Sequence, residues 1–132
     1  MSILSTSPPS GLLNRLAHWA EKHPRNLALV YLADGEQEHE RLDYGTLFER
    51  LNNLAAWLTR HVATGERALL APHSEVHYLL GLLACIQSGI VAIPTLTTMN
   101  ARALGRIQAH GEDAGACVLL ADPWILERRD RP

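Results

Sequence analysis

Several features that would point to a membrane, to secretion or to nucleic acid are missing from this sequence. No apolar run approaches the roughly 20 residues that cross a bilayer, so no membrane span is predicted. The first ten residues, MSILSTSPPS, lack the basic start and long apolar core of a signal peptide. A formal charge of −2 gives no electrostatic reason to expect a nucleic-acid partner. Only two cysteines occur, Cys85 and Cys117, and their apolar surroundings predict buried, reduced thiols in a cytoplasmic protein.

The short motifs of common active sites are missing as well. A phosphate loop needs closely spaced glycines between a strand and a helix, and residues 71–77, APHSEVH, contain none. There is no GxSxG serine elbow. His73 and His77 are four apart, but no third metal ligand follows at a recognisable spacing. The acidic residues within 34–40 are interpreted as solvated charges at a turn, because nothing nearby would desolvate them. No catalytic, cofactor-binding or metal-ligating residue is therefore predicted.

What the sequence does contain is an alternation of apolar stripes and short apolar runs. With 47% hydrophobic residues it can build a packed core. Periodicity, capping residues and turn signals predict nine elements and the start of a tenth. These are a helix capped by Ser10 and running to Lys22, a strand at 27–32, a turn at Asp34-Gly35 with a return arm at 39–42, helix 44–62, strand 67–71, helix 75–88, strand 90–93, helix 101–114, strand 117–120 and a helix beginning at Asp122-Pro123.

The stretch from Glu66 to Pro94 carries the strongest prediction. Two apolar strands flank a helix that Ser74 caps and Gly89 ends, which indicates a right-handed parallel crossover. Pro94 is expected to close the second strand. The predicted fold class is α/β: a partial parallel sheet with crossover helices plus an N-terminal β-hairpin, forming the front part of a larger N-terminal domain. Residues 1–9 are predicted to be a flexible lead-in, and residues 10–132 an incomplete scaffold.

Ligands of open α/β sheets bind beyond the carboxyl ends of the strands. In this sequence those positions include four residues that we predict to be substrate-proximal: His73, Ser74, Thr95 and Thr97. The alternative is that they are ordinary turn residues.

Six stretches, in this order and at this spacing, resemble the start of the acyl-adenylate-forming, or AMP-dependent, synthetases and ligases, above all the fatty acyl-AMP ligases. They are AEKHP at 20–24, LDYGTL at 42–47, LAAWL at 54–58, GERALL at 65–70, LLGLLACIQSGIVAIP at 79–94 and DAGACVLL at 113–120. Two positions depart from the family pattern: Asp43 replaces a threonine and Thr46 replaces a glutamate. Aspartate still caps a helix, although the reciprocal bond of the capping box is lost.

The resemblance implies that the full-length relative activates a carboxylic acid, a fatty acid, with ATP and Mg²⁺. The family's phosphate loop, ribose-binding acidic residue and catalytic lysine come later than the matched motifs, so the chain is expected to be an inactive scaffold fragment that holds no cofactor itself. Its expected partners are the remainder of the ligase or a second copy, with an acyl carrier protein or synthase as a further partner. One alternative is a stand-alone interaction module that docks on a synthase or self-associates. Another is a small binding protein that uses the strand-end loops.

Overall fold

A computed structural model of the chain describes residues 11–32, 34–71, 74–95 and 101–121. The elements are α1 Leu12–Lys22, β1 Leu27–Leu32, β2 Glu38–Asp43, α2 Tyr44–His61, β3 Arg67–Ala71, α3 Glu75–Ser88, β4 Val91–Pro94, α4 Ala101–Ala114 and β5 Val118–Ala121. They fall into two compact units, divided between Arg50 and Leu51 within α2. The predicted α/β class, with an antiparallel hairpin and a partial parallel sheet, is confirmed.

The hairpin of the first unit pairs β1 with β2 in antiparallel register, with Leu29 opposite Leu42. Its turn is held by the Asp34 carboxylate, which accepts hydrogen bonds from the Glu36 and Gln37 amides at 2.9 and 2.7 Å. These bonds lower the pKa of Asp34 below its usual value, and the bond from Gln37 has the larger effect. The acidic tip is exposed, as predicted, apart from half-buried Glu40.

The first helix, α1, begins at Leu12, two residues after Ser10, its predicted cap. The N-cap position of α1 is Gly11, which has no side chain to accept a helix amide, and Ser10 lies outside the described residues. At its other end, α1 meets the start of α2. The Gly45 amide donates to the Pro24 carbonyl at 2.9 Å, and a Cβ at Gly45 would lie 3.1 Å from the Pro24 Cβ. Two of the resemblance motifs, at 20–24 and 42–47, are therefore in direct contact.

The predicted capping of α2 by aspartate is confirmed. The Asp43 carboxylate accepts a hydrogen bond from the Thr46 amide at 2.7 Å. The Thr46 backbone and side-chain hydroxyl both lower the pKa of Asp43. Thr46, which breaks the usual capping box, thus still stabilises the helix start by a different contact.

The second unit is built on a three-stranded parallel sheet of order β4-β3-β5. Leu69 of β3 lies opposite Ile93 on one side and Leu119 on the other. Successive side chains of a strand point to opposite faces. A Cβ at Gly81 of α3 would lie 3.3 Å from Leu70, and a Cβ at Gly111 of α4 would lie 3.6 Å from Leu69. The two crossover helices therefore cover opposite faces of the sheet.

The predicted parallel crossover is confirmed, but its second strand is displaced by one residue. Gly89 adopts the left-handed conformation (φ 69°) that ends α3, and the Ile90 amide donates to the Cys85 carbonyl. Ile90 therefore completes the helix end, and β4 begins at Val91. The strand closes at Pro94, as predicted, and Pro94 is itself its last residue, paired in register with Leu70.

One prediction of burial needs correction. Cys85 is buried, as predicted, whereas Cys117, the residue before β5, is exposed. Ile86 of the apolar helix α3 is 54% exposed. The buried side of α3 consists of Val76, Leu80, Gly81, Leu83, Ala84 and Cys85.

Candidate functional site

The carboxyl ends of β3 and β4 lie side by side, and the chain leaves them towards opposite faces of the sheet. After β3 it leads to α3, which packs on the Leu70 face, and after β4 it leads to α4, which packs on the Leu69 face. Such a divergence opens a crevice at the carboxyl edge of a parallel sheet, which is where ligands of these folds bind. The topology therefore selects the β3–β4 edge as the candidate site.

Ser74 and Thr95 are the two predicted site residues that the structure describes. The Ser74 hydroxyl caps α3 by accepting a hydrogen bond from the His77 amide at 3.4 Å, as predicted. The Thr95 amide donates to the Leu70 carbonyl at 2.9 Å, which fixes the residue directly after β4. Thr95 is only 8% exposed, a rare degree of burial for a polar residue at a strand end. His73 and Thr97 lie outside the described residues, so their proximity to substrate stays a prediction.

Tyr78 is a residue of this edge that the sequence analysis did not select. Burial raises the pKa of its phenol, and a hydrogen bond from the Thr95 backbone partly opposes the rise. The phenol therefore stays protonated at neutral pH and keeps a hydroxyl hydrogen to donate. The signal was present in the sequence: Tyr78 follows Ser74 by four residues, which places both on one face of α3.

The described side chains at this edge do not balance the charge of a triphosphate. A helix N-terminus attracts negative charge, but Glu75 already places a carboxylate in the first turn of α3. The Ser74 cap further uses the amide of His77. The edge therefore offers hydroxyl groups for orienting a polar ligand, and it supplies no counter-charge for a triphosphate from its described side chains.

Within the described part of the chain, no group of three or more His, Cys, Asp or Glu residues is placed to hold a metal ion. No described helix combines the length and the apolar character that crossing a bilayer requires. The described residues thus do not fit a Mg²⁺ site.

Comparison with known protein families gives a match over nearly the whole chain. Residues 16–131 match the AMP-binding enzymes. The chain belongs to this family. The predicted resemblance to AMP-dependent ligases is thereby confirmed, and it covers both units of the structure.

The curated relatives of this AMP-binding enzyme chain act on fatty acids, according to their names. The long-chain-fatty-acid–AMP ligase FadD23 of Mycobacterium tuberculosis is 29% identical over 107 residues, which cover 79% of this chain and 18% of the relative. JamA of Moorena producens, a medium-chain-fatty-acid–[acyl-carrier-protein] ligase, is 32% identical over 116 residues, which cover 86% of this chain and 20% of the relative. The chain thus spans about one fifth of the length of the relatives it matches.

Solved structures of AMP-binding enzymes share the fold. The fatty acid AMP ligase from Legionella pneumophila superposes with a TM-score of 0.70 at 22% identity, covering 83% of this chain and 19% of that chain. The N-terminal subdomain of NpsA from Klebsiella oxytoca superposes with a TM-score of 0.62 at 20% identity, covering 84% and 27%. At these identities the superpositions establish the architecture of the chain.

Proposed function

We propose that residues 10–132 supply part of the scaffold of an ATP-dependent ligase that converts a fatty acid to its acyl-adenylate, and that this chain is inactive alone. The observation that carries the proposal is the crossover β3–α3–β4. It reproduces the family motif at 79–94 as a folded unit, yet its carboxyl edge holds Ser74, Tyr78 and Thr95 with no cation described among them. Two free thiols, Cys85 and Cys117, suit a reducing cytoplasm.

The inactivity follows from the chemistry of adenylate formation. Phosphates and the developing anion must be stabilised by positioned donors and positive charge. The chain contains a single lysine, Lys22. This residue is the last of α1, in the first unit, and does not belong to the β3–β4 edge, which lies in the second unit. A Legionella pneumophila ligase of the same fold has been crystallised with acyl adenylate and pyrophosphate, which supports ATP and a fatty acid as substrates of the complete enzyme.

The inactivity is tested by calorimetry and a pyrophosphate assay on the purified 132-residue chain. We expect no heat of binding on titration with ATP and Mg²⁺, and no pyrophosphate release after addition of dodecanoic acid. The complete Legionella pneumophila ligase serves as the positive control for the assay. Micromolar ATP binding together with pyrophosphate release by the chain alone would refute the proposal.

The substrate-proximal role of the β3–β4 edge is a separate part of the proposal. We propose that Ser74 and Thr95, with His73 and Thr97 beside them in sequence, face the bound acid. Dodecanoate added to the isotope-labelled chain is expected to shift the NMR amide signals of Ser74 and Thr95. Gly65, at the opposite end of β3, is the internal control. Equal signal shifts at Gly65 and Thr95 would show that dodecanoate does not bind preferentially at the β3–β4 edge.

A second candidate function is an interaction module that docks on a synthase or associates with itself. The two candidates differ in the behaviour they predict for the apolar side chains of the second unit, of which Ile86 is 54% and Val91 50% exposed: an incomplete scaffold associates through such side chains, whereas a module that folds by itself stays monodisperse. The named acceptor of JamA, an acyl carrier protein, is the corresponding partner class. Size-exclusion chromatography with a hydrophobic dye separates the candidates. A monodisperse chain that binds no dye favours the module, and an associating chain that binds dye favours the scaffold fragment.

A further inference from the structure

The turn between β1 and β2 contains a chemically labile dipeptide, Asp34-Gly35. An aspartate followed by glycine is prone to form a cyclic imide, because glycine has no side chain to shield its amide nitrogen. Asp34 is the one aspartate of the sequence that precedes a glycine, and no asparagine precedes one. Both residues of the pair are exposed, and Gly35 has φ 82°. Solvent therefore reaches the pair directly.

The reaction of this pair needs no added reactant except water. The Gly35 nitrogen attacks the Asp34 Cγ atom, so an N–Cγ bond forms and the Cγ–OH bond breaks. The amide hydrogen and the carboxyl hydroxyl leave together as water. Water then opens the imide at one of its two carbonyls. Attack at Cγ restores aspartate, whereas attack at the former backbone carbonyl leaves the chain running through Cγ, as isoaspartate.

Three hydrogen bonds of the folded turn oppose this reaction. The Gly35 amide donates its hydrogen to the Leu32 carbonyl at 3.3 Å, which holds the attacking nitrogen in its protonated form. The Asp34 carboxylate accepts hydrogen bonds from the Glu36 and Gln37 amides at 2.9 and 2.7 Å, which fix its orientation. These bonds, above all the one from Gln37, also keep the pKa of Asp34 below its usual value. The charged carboxylate has no hydroxyl to lose, so both reacting groups are held in unreactive forms.

We propose that Asp34 is a latent site of isoaspartate formation, which the folded hairpin protects and which reacts when the turn opens. Among the described strands, β1 and β2 pair only with each other, and a two-stranded hairpin has little stability of its own. Isoaspartate adds one carbon to the backbone of the turn and attaches the carboxylate directly to Cα. The Leu32–Glu38 pair that closes the hairpin then loses the turn that sets its register. This site is independent of the proposed scaffold function.

The test measures isoaspartate in the purified 132-residue chain at neutral pH, in one folded sample and one sample in denaturing urea. Peptide mapping with electron-transfer fragmentation locates the isoaspartate, and methylation by an isoaspartyl methyltransferase counts it. We expect formation at Asp34 to be about tenfold or more slower in the folded sample. In urea, D34E should abolish the signal at this position, because glutamate would have to close a larger ring.

Two variants of Gln37 separate its backbone from its side chain. Q37P removes the amide that donates the 2.7 Å hydrogen bond, and it should speed isoaspartate formation in the folded chain by about three- to tenfold. Q37A keeps this amide and should leave the rate within about twofold of the unmodified chain. The thermal midpoints of both variants report any damage to the fold. If Q37P does not fold, the comparison of folded and urea-treated unmodified chain decides the question.

Three results would overturn the proposal. Equal rates at Asp34 in the folded and the urea-treated chain would show that the hairpin does not protect it. In urea, formation at Asp43 or Asp113 as fast as at Asp34 would remove the reason for selecting this pair, as would a lack of isoaspartate at Asp34. Equal rates for folded Q37P and Q37A would show that the Gln37 amide does not protect the carboxylate.

Discussion

Replacement of Gly89 by alanine tests how the end of α3 is fixed. Gly89 has φ 69°, and a Cβ added there would lie 2.9 Å from the Thr64 Cγ2 atom. The left-handed conformation alone costs an L-residue about 1–2 kcal/mol. The overlap with Thr64 adds about 1–2 kcal/mol, as overpacking does elsewhere. We therefore expect G89A to lower the free energy of unfolding by about 2–4 kcal/mol.

The two contributions are separable because the chain offers a matched control. Gly65 also has a positive φ, 87°, but a Cβ there would meet no atom within 4 Å. G65A is expected to cost only the conformational part, about 1–2 kcal/mol. T64S removes the Cγ2 methyl, so in that background G89A should cost no more than G65A does.

Urea denaturation followed by circular dichroism measures all four variants, with the slope of each transition checked for two-state behaviour. The reasoning fails if G89A and G65A have equal cost in the unmodified background. It also fails if T64S does not reduce the cost of G89A.

Three further predictions concern other parts of the chain. D43A is expected to lower the thermal midpoint at pH 7. Because the pKa of Asp43 is lower in the folded chain, the loss is full above the unfolded pKa of 3.8 and fades as the pH falls through the folded pKa. A series of thermal melts at different pH values checks this. A thiol reagent is expected to modify exposed Cys117 at once and Cys85 only on unfolding, because Cys85 is buried and burial raises the pKa of its thiol. C117A should abolish the fast phase of the reaction. Two fast-reacting thiols in the unmodified chain would contradict the burial of Cys85. L58A, at a fully buried position, costs about 2–5 kcal/mol in urea denaturation, whereas exposed W57A costs about 1 kcal/mol; equal costs would contradict the packing of α2.

The fold was largely predictable because its signals are local. The Ser74 cap, the Gly89 stop and the apolar run between them bounded α3 to the residue. Asp43 likewise predicted the start of α2. The errors occurred where a distant partner decides the outcome. β4 and β5 each begin one residue later than predicted, at Val91 and Val118, where pairing with β3 starts.

The candidate site was predictable only in part. Ser74 and Thr95 could be selected because they follow apolar strands in sequence. The spacing from Ser74 offered a signal for Tyr78, but the hydrogen bond with the Thr95 backbone that places Tyr78 at this edge joins residues seventeen positions apart and is not visible in the sequence. Periodicity assigns a residue to a face of its helix, but it does not report what lies opposite that face.

The sequence by itself determined the kinds of elements, their order and the family, because capping, periodicity and motif spacing are properties of neighbouring residues. Only the tertiary structure decided that α3 and α4 cover opposite faces, that β3 lies between β4 and β5, and that Pro94 pairs with Leu70. The physical reason is that strand order and hydrogen-bond direction arise from pairing between residues far apart in the chain. A linear pattern does not specify which of these pairings forms.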